Sequence, residues 1–518
     1  MHVSRIDSAL IDPGRLDAEY YNPLALEAEQ KIKGRGVAVS LGSKIASGYR
    51  VVYHGTDSIL NKQDKDLLPF LSPSQIDDNG EIDFESVDKL PLYYKNRYPK
   101  GVAHDGELLI EVKGNVSKLA VVPDRYPKNL MISGSLYKAS FFDDLNARYA
   151  LSFLKSRYGQ VLKDRLTSNT IINYIAKEDL FSILVPLLGA AAQKYIAGKV
   201  LLAEKLREYA VSVERDVRSM HEKLFPSQEA LVFSELYRKV SAGRVKDRLD
   251  AHHYPSVVED YLALGDARFR RLKNVCYAVF NGQTRPDAIG SGNLINQITV
   301  ANLSNHFVKG YERLVNSSAN TEKVAQKYDL LICNAAHNKE YIGREVTFYH
   351  RDSEVLPSTE VMVIRVDRSI VPSSYVRAYL LSRMGYVQVQ STIRGITAHC
   401  YPGDMMQLEI PIPAVSQDAR DAWFDADEKM ALAGKARELG ARLTFAATCL
   451  VEGVIDGKVS EEQLVSIGQA LDVGDGAMDR TMLSRMKSDG LDGIDEPLFP
   501  DLDQLYELLE QVSRESEA

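Results

Sequence analysis

A ten-residue sequence near the start of the chain returns, with changes, in its second half. RLDAEYYNPL occupies residues 15–24 and RLDAHHYPSV occupies residues 248–257. Solenoids and propellers repeat about every 20 to 50 residues, so this much wider separation predicts two whole domains. A single hydrophobic core stops growing at about 250 to 300 residues, and the length of 518 residues agrees with several domains.

Each copy of the repeat opens a similar order of segments. The first copy leads to a glycine-punctuated stretch, a strand with a loop (PFLSPSQIDDNGEID), the strand GELLIEVKG and the apolar run FSILVPLL. The second copy leads to LKNVCYAVFNG, INQITVANLSNHFVKG, YDLLICNAAHN and MQLEIPIP. Strands mixed with helical patterns predict an α/β (α+β) fold for both domains.

Two long helices are predicted, one after each domain. Apolar or small residues recur at steps of three and four from Ala191 to Leu224 and again from Trp423 to Leu450, which is the spacing of one helix face. At ~1.5 Å per residue, a helix of about 35 residues spans about 50 Å. This length favours two antiparallel helices that pair and hold the domains apart over helices that each cover only their own domain.

The predicted architecture is two α/β domains in tandem, separated by two long antiparallel helices, with a small acidic helical extension at the C-terminus. Residues 452–518 hold 17 Asp and Glu against 5 Lys and Arg, a net charge of −12, which leaves +4 on the rest of a chain whose total is −8. A solvated tail is the default interpretation of the extension, and docking on a partner or on a basic face is the alternative. The predicted segments are residues 1–188, 189–226, 227–414, 415–453 and 454–518.

Composition excludes several classes of protein. Every apolar run falls short of the ~20 residues of a membrane helix and the first residues lack a secretory apolar region, so we expect a cytoplasmic protein without a membrane partner. No Cys-x-x-Cys pair exists, and His252, His253 and His399 have no partner at ligand spacing. We therefore predict neither disulfides nor a metal site. The cysteines, expected to be small buried residues, are Cys276, Cys333, Cys400 and Cys449.

Catalytic motifs are missing, with one exception. The chain has no GxxxxGK(S/T) phosphate loop, no GxSxG elbow and no (D/N)PP(F/Y) tetrapeptide for amino-methylation of a base. In the strand GELLIEVKG, Glu111 and Lys113 lie two residues apart with Asp105 before them, as an acid and a lysine do in metal-dependent nucleases. The second domain has LLICNAAHN at that place, without acid or lysine. Nuclease chemistry therefore stays an alternative to the main interpretation.

Basic and aromatic side chains gather in the first domain. Residues 89–128 hold eight Lys and Arg against four Asp and Glu, with tyrosines interleaved in LPLYYKNRYPKG. Such cations neutralise DNA phosphates, and Arg, Lys and Asn also pair with base edges. We predict DNA-binding residues here and in the later segment RLTSNTIINYI, namely Tyr94, Lys95, Arg97, Lys100, Lys113, Asn115, Lys118, Arg165 and Asn169.

The second domain carries a different polar set in its corresponding loops. The candidate DNA-binding residues there are Asn334, His337, Asn338, Lys339, Arg344, Arg394 and Thr397. Unlike loops on similar scaffolds are expected if each domain reads its own short DNA sequence.

These features together resemble the specificity subunit (HsdS) of type I restriction-modification systems. The resemblance rests on the RLDAEYY and RLDAHHY openings, on PFLSPSQI, on GELLIEVKG with its basic turn, and on STIRGITAHCYPGDMMQLEIPIP, which runs into a long helix. It implies two target-recognition domains that read a bipartite DNA target, with paired helices that act as a ruler. It also implies a chain without catalytic activity and without a cofactor of its own.

The resemblance further implies the partners of the chain. They are double-stranded DNA, two copies of an adenine methyltransferase subunit that itself binds S-adenosylmethionine, and an ATP-driven restriction or defence nuclease. The acidic extension departs from the family pattern. A related phage-defence assembly with the same kind of specificity subunit therefore stays an alternative, as does a structural scaffold that does not read DNA.

Overall fold

The computed structural model divides the chain into two compact units. The first unit is drawn from Met1–Arg207 and Glu438–Ala518, and the second from Glu208–Arg437. The residues that the structure describes are 11, 18–53, 55, 57–59, 62–167, 172–228, 231, 245, 248–264, 268–288, 293–310, 312–317 and 323–517.

The first unit contains an α/β module that leads into a long helix. The helices are α1 (Pro23–Gly34), α2 (Tyr94–Arg97), α3 (Ala147–Lys155), α4 (Arg157–Asp164) and α5 (Lys177–Ser182). The long α6 (Ala190–Glu222) begins in this unit, and its residues from Glu208 onwards belong to the second unit. The strands are β1 (Ala38–Ser40), β2 (Ile45–Tyr49), β3 (Leu67–Leu71), β4 (Asp88–Pro91), β5 (Leu108–Glu111), β6 (Lys113–Gly114), β7 (Leu119–Val121), β8 (Met131–Ile132), β9 (Leu136–Phe141), β10 (Asn173–Tyr174) and β11 (Leu184–Pro186).

The centre of this module is a four-stranded antiparallel sheet with the order β2-β9-β5-β7. A three-stranded sheet, β4-β3-β8, and the short pairs β1-β11 and β6-β10 complete it. All of β5 is buried, because Leu109 joins Leu71 and Ile132 of the three-stranded sheet in one core cluster while α3 packs against β5 as well. Cover on both faces explains why residues 108–110 of β5 are all apolar.

The second unit contains a matching module. Its helices are α7 (Ser256–Leu262), α8 (Ser373–Leu381), α9 (Arg383–Ser391), α10 (Pro402–Met405) and α11 (Gln417–Phe424). The long α12 (Ala426–Asp456) begins in this unit, and its residues from Glu438 onwards belong to the first unit. Its strands are β12 (Phe269–Arg271), β13 (Cys276–Asn281), β14 (Leu294–Ile298), β15 (Arg313–Asn316), β16 (Leu330–Cys333), β17 (Ala335–Ala336), β18 (Val346–Phe348), β19 (Leu356–Pro357), β20 (Val361–Val366), β21 (Ala398–His399) and β22 (Glu409–Pro411).

The two modules share one topology. The second has a four-stranded sheet β13-β20-β16-β18, a three-stranded sheet β15-β14-β19 and the pairs β12-β22 and β17-β21. Each strand occupies the same place in its sheet and in the order of the chain as its counterpart in the first module. The prediction of two α/β domains in tandem is confirmed.

The helix pair after the large sheet shows how closely the copies agree. Ser156 and Ser382 cap α4 and α9 by accepting a hydrogen bond from the backbone N–H of Gly159 (3.1 Å) and of Gly385 (3.2 Å). A Cβ atom on Gly159 would lie 2.2 Å from the carbonyl oxygen of Phe153, and one on Gly385 would meet a carbonyl at 2.0 Å. Only glycine fits such an approach of two helix backbones.

Within each unit the two long helices run in opposite directions. In the second unit, Ser374 bonds through its hydroxyl to His221 at the end of α6 (3.0 Å) and through its N–H to Asp427 at the start of α12 (2.7 Å). In the first unit, the N–H of Gly189, just before α6, donates to Glu461, which follows α12 (2.7 Å). The prediction of antiparallel helices is confirmed. The predicted segment boundaries and the proposed ruler function stay predictions.

The C-terminal extension is folded. It comprises α13 (Glu461–Asp472), α14 (Ala477–Ser484), the hairpin of β23 (Met486–Lys487) and β24 (Gly490–Leu491), and α15 (Leu502–Glu517). The buried carboxylate of Asp479 accepts a hydrogen bond from Tyr195 (2.6 Å) and forms an ion pair with Lys199, both on α6. The solvated tail taken as the default interpretation is wrong for these residues, because a buried ion pair anchors them to α6.

None of the helices in the described part of the chain combines the length and the apolar character that a membrane span needs. The four cysteines are free thiols, and three of them are buried.

Candidate nucleic-acid interface

A short strand pair in each module brings the predicted loops together. β6 begins one residue after the buried strand β5, and β17 begins one residue after β16. β6 pairs with β10, which places Lys113 opposite Tyr174, and β17 pairs with β21, which places Ala335 opposite His399. The chain thereby joins two loops in each module that are more than 50 residues apart in sequence. We call these strand pairs, with the turns that flank them, the first and second edges.

Arg50 lies at the first edge and is not among the residues predicted to bind DNA. Its Nη1 donates to the Tyr174 hydroxyl (3.0 Å), its Nε donates to the carbonyl of Gly134 (2.6 Å), and its guanidinium carbon lies 5.0 Å from the centre of the Tyr174 ring. Lys113, opposite Tyr174, is exposed. The available signal was that Arg50 directly follows β2, in the glycine-punctuated stretch LGSKIASGYR.

The basic turn after β4 supplies more exposed cations. Lys95 donates to the side chain of Asn129 (2.6 Å) and the Arg97 guanidinium lies 5.4 Å from the centre of the Tyr98 ring. Lys100 lies 5.9 Å from the ring centre of Tyr49, the residue before Arg50. All three predicted cations are exposed, and Lys100 is thereby close to the first edge.

Tyr94 is a core residue instead. Its side chain is 1% exposed, and its hydroxyl accepts a hydrogen bond from the backbone N–H of Asp57 (3.0 Å). Its ring packs against Tyr53 and Tyr98. Its selection as a DNA-binding residue is corrected, because burial keeps the ring from any external ligand.

The remaining candidates of the first module are divided. Arg165 is buried, forms an ion pair with Glu29 and lies over the Tyr20 ring, so its selection is corrected as well. Lys118 is half-buried and paired with Asp78, whereas Asn115 is exposed. Asn169 lies outside the described residues.

Glu111 has a structural role, because its hydrogen-bond partners are backbone groups of the following turn. Its buried carboxylate accepts hydrogen bonds from the backbone N–H groups of Asn115 (3.2 Å), Ser117 (3.0 Å) and Lys118 (3.1 Å). It therefore closes the turn that carries Lys113. In the described part of the chain, no group of three or more His, Cys, Asp and Glu side chains is able to hold a metal ion. The geometry gives the nuclease alternative no support.

A buried lysine supports the same turn from inside the module. Lys163 on α4 donates to the carbonyl of Val116 (2.9 Å), and its side chain is fully buried. Burial lowers the pKa of Lys163 to about 8. Val116 itself has a positive φ of 58°, so the turn needs this internal support to hold a backbone conformation that β-branched residues rarely adopt.

The second edge carries different side chains. His337, Asn338, Lys339 and Arg344 are all exposed on the turn after β17. Asn338 also accepts a hydrogen bond from the N–H of Glu340 (3.0 Å), and Arg344 lies over the ring of Tyr341. Asn334 is 3% exposed, and its side chain donates to the carbonyl of Thr359 (3.0 Å). The selection of Asn334 is corrected, because it fastens β17 from within.

The hairpin before β21 completes the second edge. Arg394 and Thr397 are exposed on it. Arg394 forms an ion pair with Asp404 and lies 5.7 Å from the centre of the Tyr401 ring. The Tyr401 ring in turn stacks on His399, with 6.1 Å between their centres. The predicted residues 337–344 and 394–397 therefore lie at one edge, although 50 residues separate them in sequence.

Comparison with known proteins gives one curated relative. No known family profile matches the chain. The putative type I restriction enzyme MjaX specificity subunit of Methanocaldococcus jannaschii is 24% identical over 157 residues, 30% of this chain and 34% of that protein. The chain is similar to type I restriction specificity subunits. This relative confirms the resemblance inferred from the sequence motifs. The chain spans about a third of the length of the curated relative it matches.

Three solved structures are also similar to the chain. The HsdS subunit from Thermoanaerobacter tengcongensis is 17% identical, with 82% of this chain and 97% of that chain covered and a TM-score of 0.27. A structure described for complex assembly and conformational transition of the type I R-M system is 16% identical, with coverages of 82% and 98% and a TM-score of 0.28. The type I S subunit from M. genitalium is 12% identical, with coverages of 85% and 94% and a TM-score of 0.36.

Proposed function

We propose that this chain is a non-catalytic DNA sequence-specificity subunit that reads a bipartite target. One observation carries the proposal: two copies of one scaffold present unlike side chains at equivalent edges. Lys113 and Tyr174 of the first edge correspond to Ala335 and His399 of the second. Duplicated folding units with different exposed side chains suit the recognition of two different short sequences.

The chemistry of the edges suits duplex DNA. The major groove of B-DNA admits a two-stranded β-ribbon or a helix, and base edges there offer donors and acceptors that Arg, Lys and Asn side chains recognise. The half-buried Arg50 and the exposed Lys113 bring hydrogen-bond donors to the first edge, and His337 and Lys339 bring them to an exposed turn at the second. Lys95, Arg97 and Lys100 beside the first edge suit phosphate contacts, which position a protein but carry no sequence information.

The partners follow from the same proposal. The name of the curated relative, a type I restriction enzyme specificity subunit, supports double-stranded DNA as the ligand and a DNA adenine methyltransferase as the enzyme that the chain directs. We propose two methyltransferase subunits per chain, matching the two modules, with S-adenosylmethionine bound by those subunits. An ATP-dependent restriction or defence subunit is the further partner, and a cytoplasmic location follows from the DNA substrate.

Methylome mapping tests this proposal. Methylated adenines are mapped in the host with the gene intact, deleted, and restored as wild type or variant. We expect a split motif that disappears on deletion. Restoring Arg50→Ala with Lys113→Ala should change one half of the motif, and His337→Ala with Thr397→Ala the other half.

A matched control is Arg514→Ala, which removes an exposed cation from α15. It should restore the wild-type motif. The proposal is wrong if deletion leaves every methylated motif in place, or if variants at one edge alter both halves equally.

A further inference from the structure

The hairpin of the second edge carries an unusual apolar residue at its tip. The hairpin is closed by two backbone hydrogen bonds between Arg394 and His399, of 2.8 and 3.0 Å. Ile396 lies between them with a relative exposure of 108%. It is the most exposed large apolar side chain in the described part of the chain. Water therefore surrounds a branched side chain that is usually buried.

The tip is held in a defined position. Gly395, before Ile396, adopts a φ of +81°, a conformation that glycine favours. The ion pair of Arg394 with Asp404 fixes one strand of the hairpin. Below the tip, β21 pairs with β17, and the N–H of Cys400 donates to the carbonyl of Asn334 (2.8 Å). Ile396 is presented by a supported turn, so little ordering is needed when a ligand binds.

The neighbours of Ile396 are polar and cationic side chains. Arg394 and Thr397 are exposed on the same hairpin, and His337 follows the strand that pairs with it. In the major groove, the C5-methyl of thymine is the apolar group that base edges present, and apolar side chains contact it. An exposed apolar tip among polar and cationic groups matches this combination.

We propose that Ile396 contacts the C5-methyl group of a thymine in the half-site read by the second unit, and so determines specificity there. This inference rests on the proposed function and adds a base to it. In the first unit, the residue just before β10 is Ile172, which is 52% exposed. An apolar side chain thus also flanks the corresponding strand of the first edge.

The test removes the methyl group from the DNA. The full chain, assembled with its methyltransferase, is bound to duplexes that carry the mapped split motif, and each thymine of the motif is replaced in turn by uracil. We expect one replacement, in the second half-site, to weaken wild-type binding about 4-fold, the effect of one buried methyl-sized group. The same replacement should have no effect on Ile396→Ala, and other replacements should affect both proteins equally.

Two controls separate a thymine contact from a general loss of apolar surface and from a contact with the methyltransferase. Ile494→Ala removes another highly exposed isoleucine (97%) from the extension. This variant should respond to the replacement of thymine by uracil like the wild type. Assembly with the methyltransferase without DNA is measured for Ile396→Ala and should match the wild type. Weakened assembly would assign Ile396 to a protein contact and overturn the inference.

The outcomes also distinguish the inference from the proposed function. If the split motif exists but no thymine couples to Ile396, or if the second half-site has no thymine, only the role of Ile396 is refuted. If the complex binds no specific sequence, the proposed function fails and the inference fails with it.

Discussion

The guanidinium of Arg50 lies over the ring of Tyr174, 5.0 Å from its centre, while its Nη1 donates a 3.0 Å hydrogen bond to the Tyr174 hydroxyl. Arg50 directly follows β2 and Tyr174 lies in β10, at opposite ends of the first module in sequence. The Nε of Arg50 is also held, by the carbonyl of Gly134. An arginine held at two points loses less side-chain entropy on binding, so this arrangement suits the base contact that we propose.

Replacing Arg50 should relax the specificity of one half-site. For Arg50→Ala we expect a loss of about 1 to 3 kcal/mol in discrimination at one base pair, the value of a bidentate base contact. Arg50→Lys should restore charge but not discrimination, since lysine lacks the planar fork. Binding to duplexes with each base of the motif substituted measures this. Equal losses for all sequences would show that Arg50 contacts only phosphates.

Replacing Lys100 should weaken binding to every sequence alike. A phosphate contact releases about 0.9 counterions on B-DNA, so Lys100→Ala should reduce the slope of log K against log salt by about 0.9. Titration at several salt concentrations, with target and random duplexes, measures both quantities. Arg514→Ala serves as the control for lost charge and should keep the wild-type slope. A sequence-dependent loss would instead place Lys100 at a base.

Replacing Glu111 should lower stability rather than abolish a reaction. The Glu111 carboxylate accepts hydrogen bonds from three backbone N–H groups. Glu111→Gln replaces one of its two oxygens by an NH₂ group, which cannot accept. We expect a decrease of about 1 to 3 kcal/mol in the free energy of unfolding. Asp105→Asn is the matched control, because Asp105 is exposed. The free energy of unfolding of this variant should differ from the wild type by less than about 0.5 kcal/mol. Magnesium-dependent DNA cleavage by the purified chain, lost in both variants, would revive the nuclease alternative.

The burial of Lys163 should make the free energy of unfolding depend on pH. Burial lowers its pKa to about 8 from an ordinary value of 10.5, so between these values the unfolded chain binds a proton that the folded chain does not. This contribution to stability therefore rises with pH across that window, at about 1.4 kcal/mol per unit. We expect the stability of the wild type relative to Lys163→Met to increase by about 2 kcal/mol from pH 8 to pH 9.5. The free energies of unfolding of both proteins are measured with urea. A difference between them that stays constant from pH 8 to pH 9.5 would contradict the burial of a neutral amine.

The ion pair between Lys199 and Asp479 should anchor the extension. Lys199→Met leaves a buried carboxylate without its cation, which we expect to cost about 3 to 5 kcal/mol in the free energy of unfolding. The double variant Lys199→Met with Asp479→Leu should lose much less, because no buried charge remains. Lys194→Met, which removes an exposed pair with Asp472, should cost less than about 1 kcal/mol. Equal losses for the single and double variants would contradict this account.

Sequence patterns predicted the large-scale organisation correctly. The repeated openings, the order of apolar segments and the three-and-four spacing from Ala191 to Leu224 indicated two α/β modules and long antiparallel helices, which the structure confirms. Such features are readable from one chain because each depends on residues close together in sequence. The loops were also located correctly as exposed segments of cations and amides, for example Lys95, Arg97 and Lys100.

Only the tertiary structure decided which of those side chains face outwards. Tyr94, Arg165 and Asn334 have the residue types of a DNA contact, yet partners distant in sequence bury all three. Arg50 was overlooked because its partner Tyr174 lies 124 residues away. Local sequence sets helices, strands and net charge. The burial of a polar side chain depends instead on partners distant in sequence, which meet only when the chain folds.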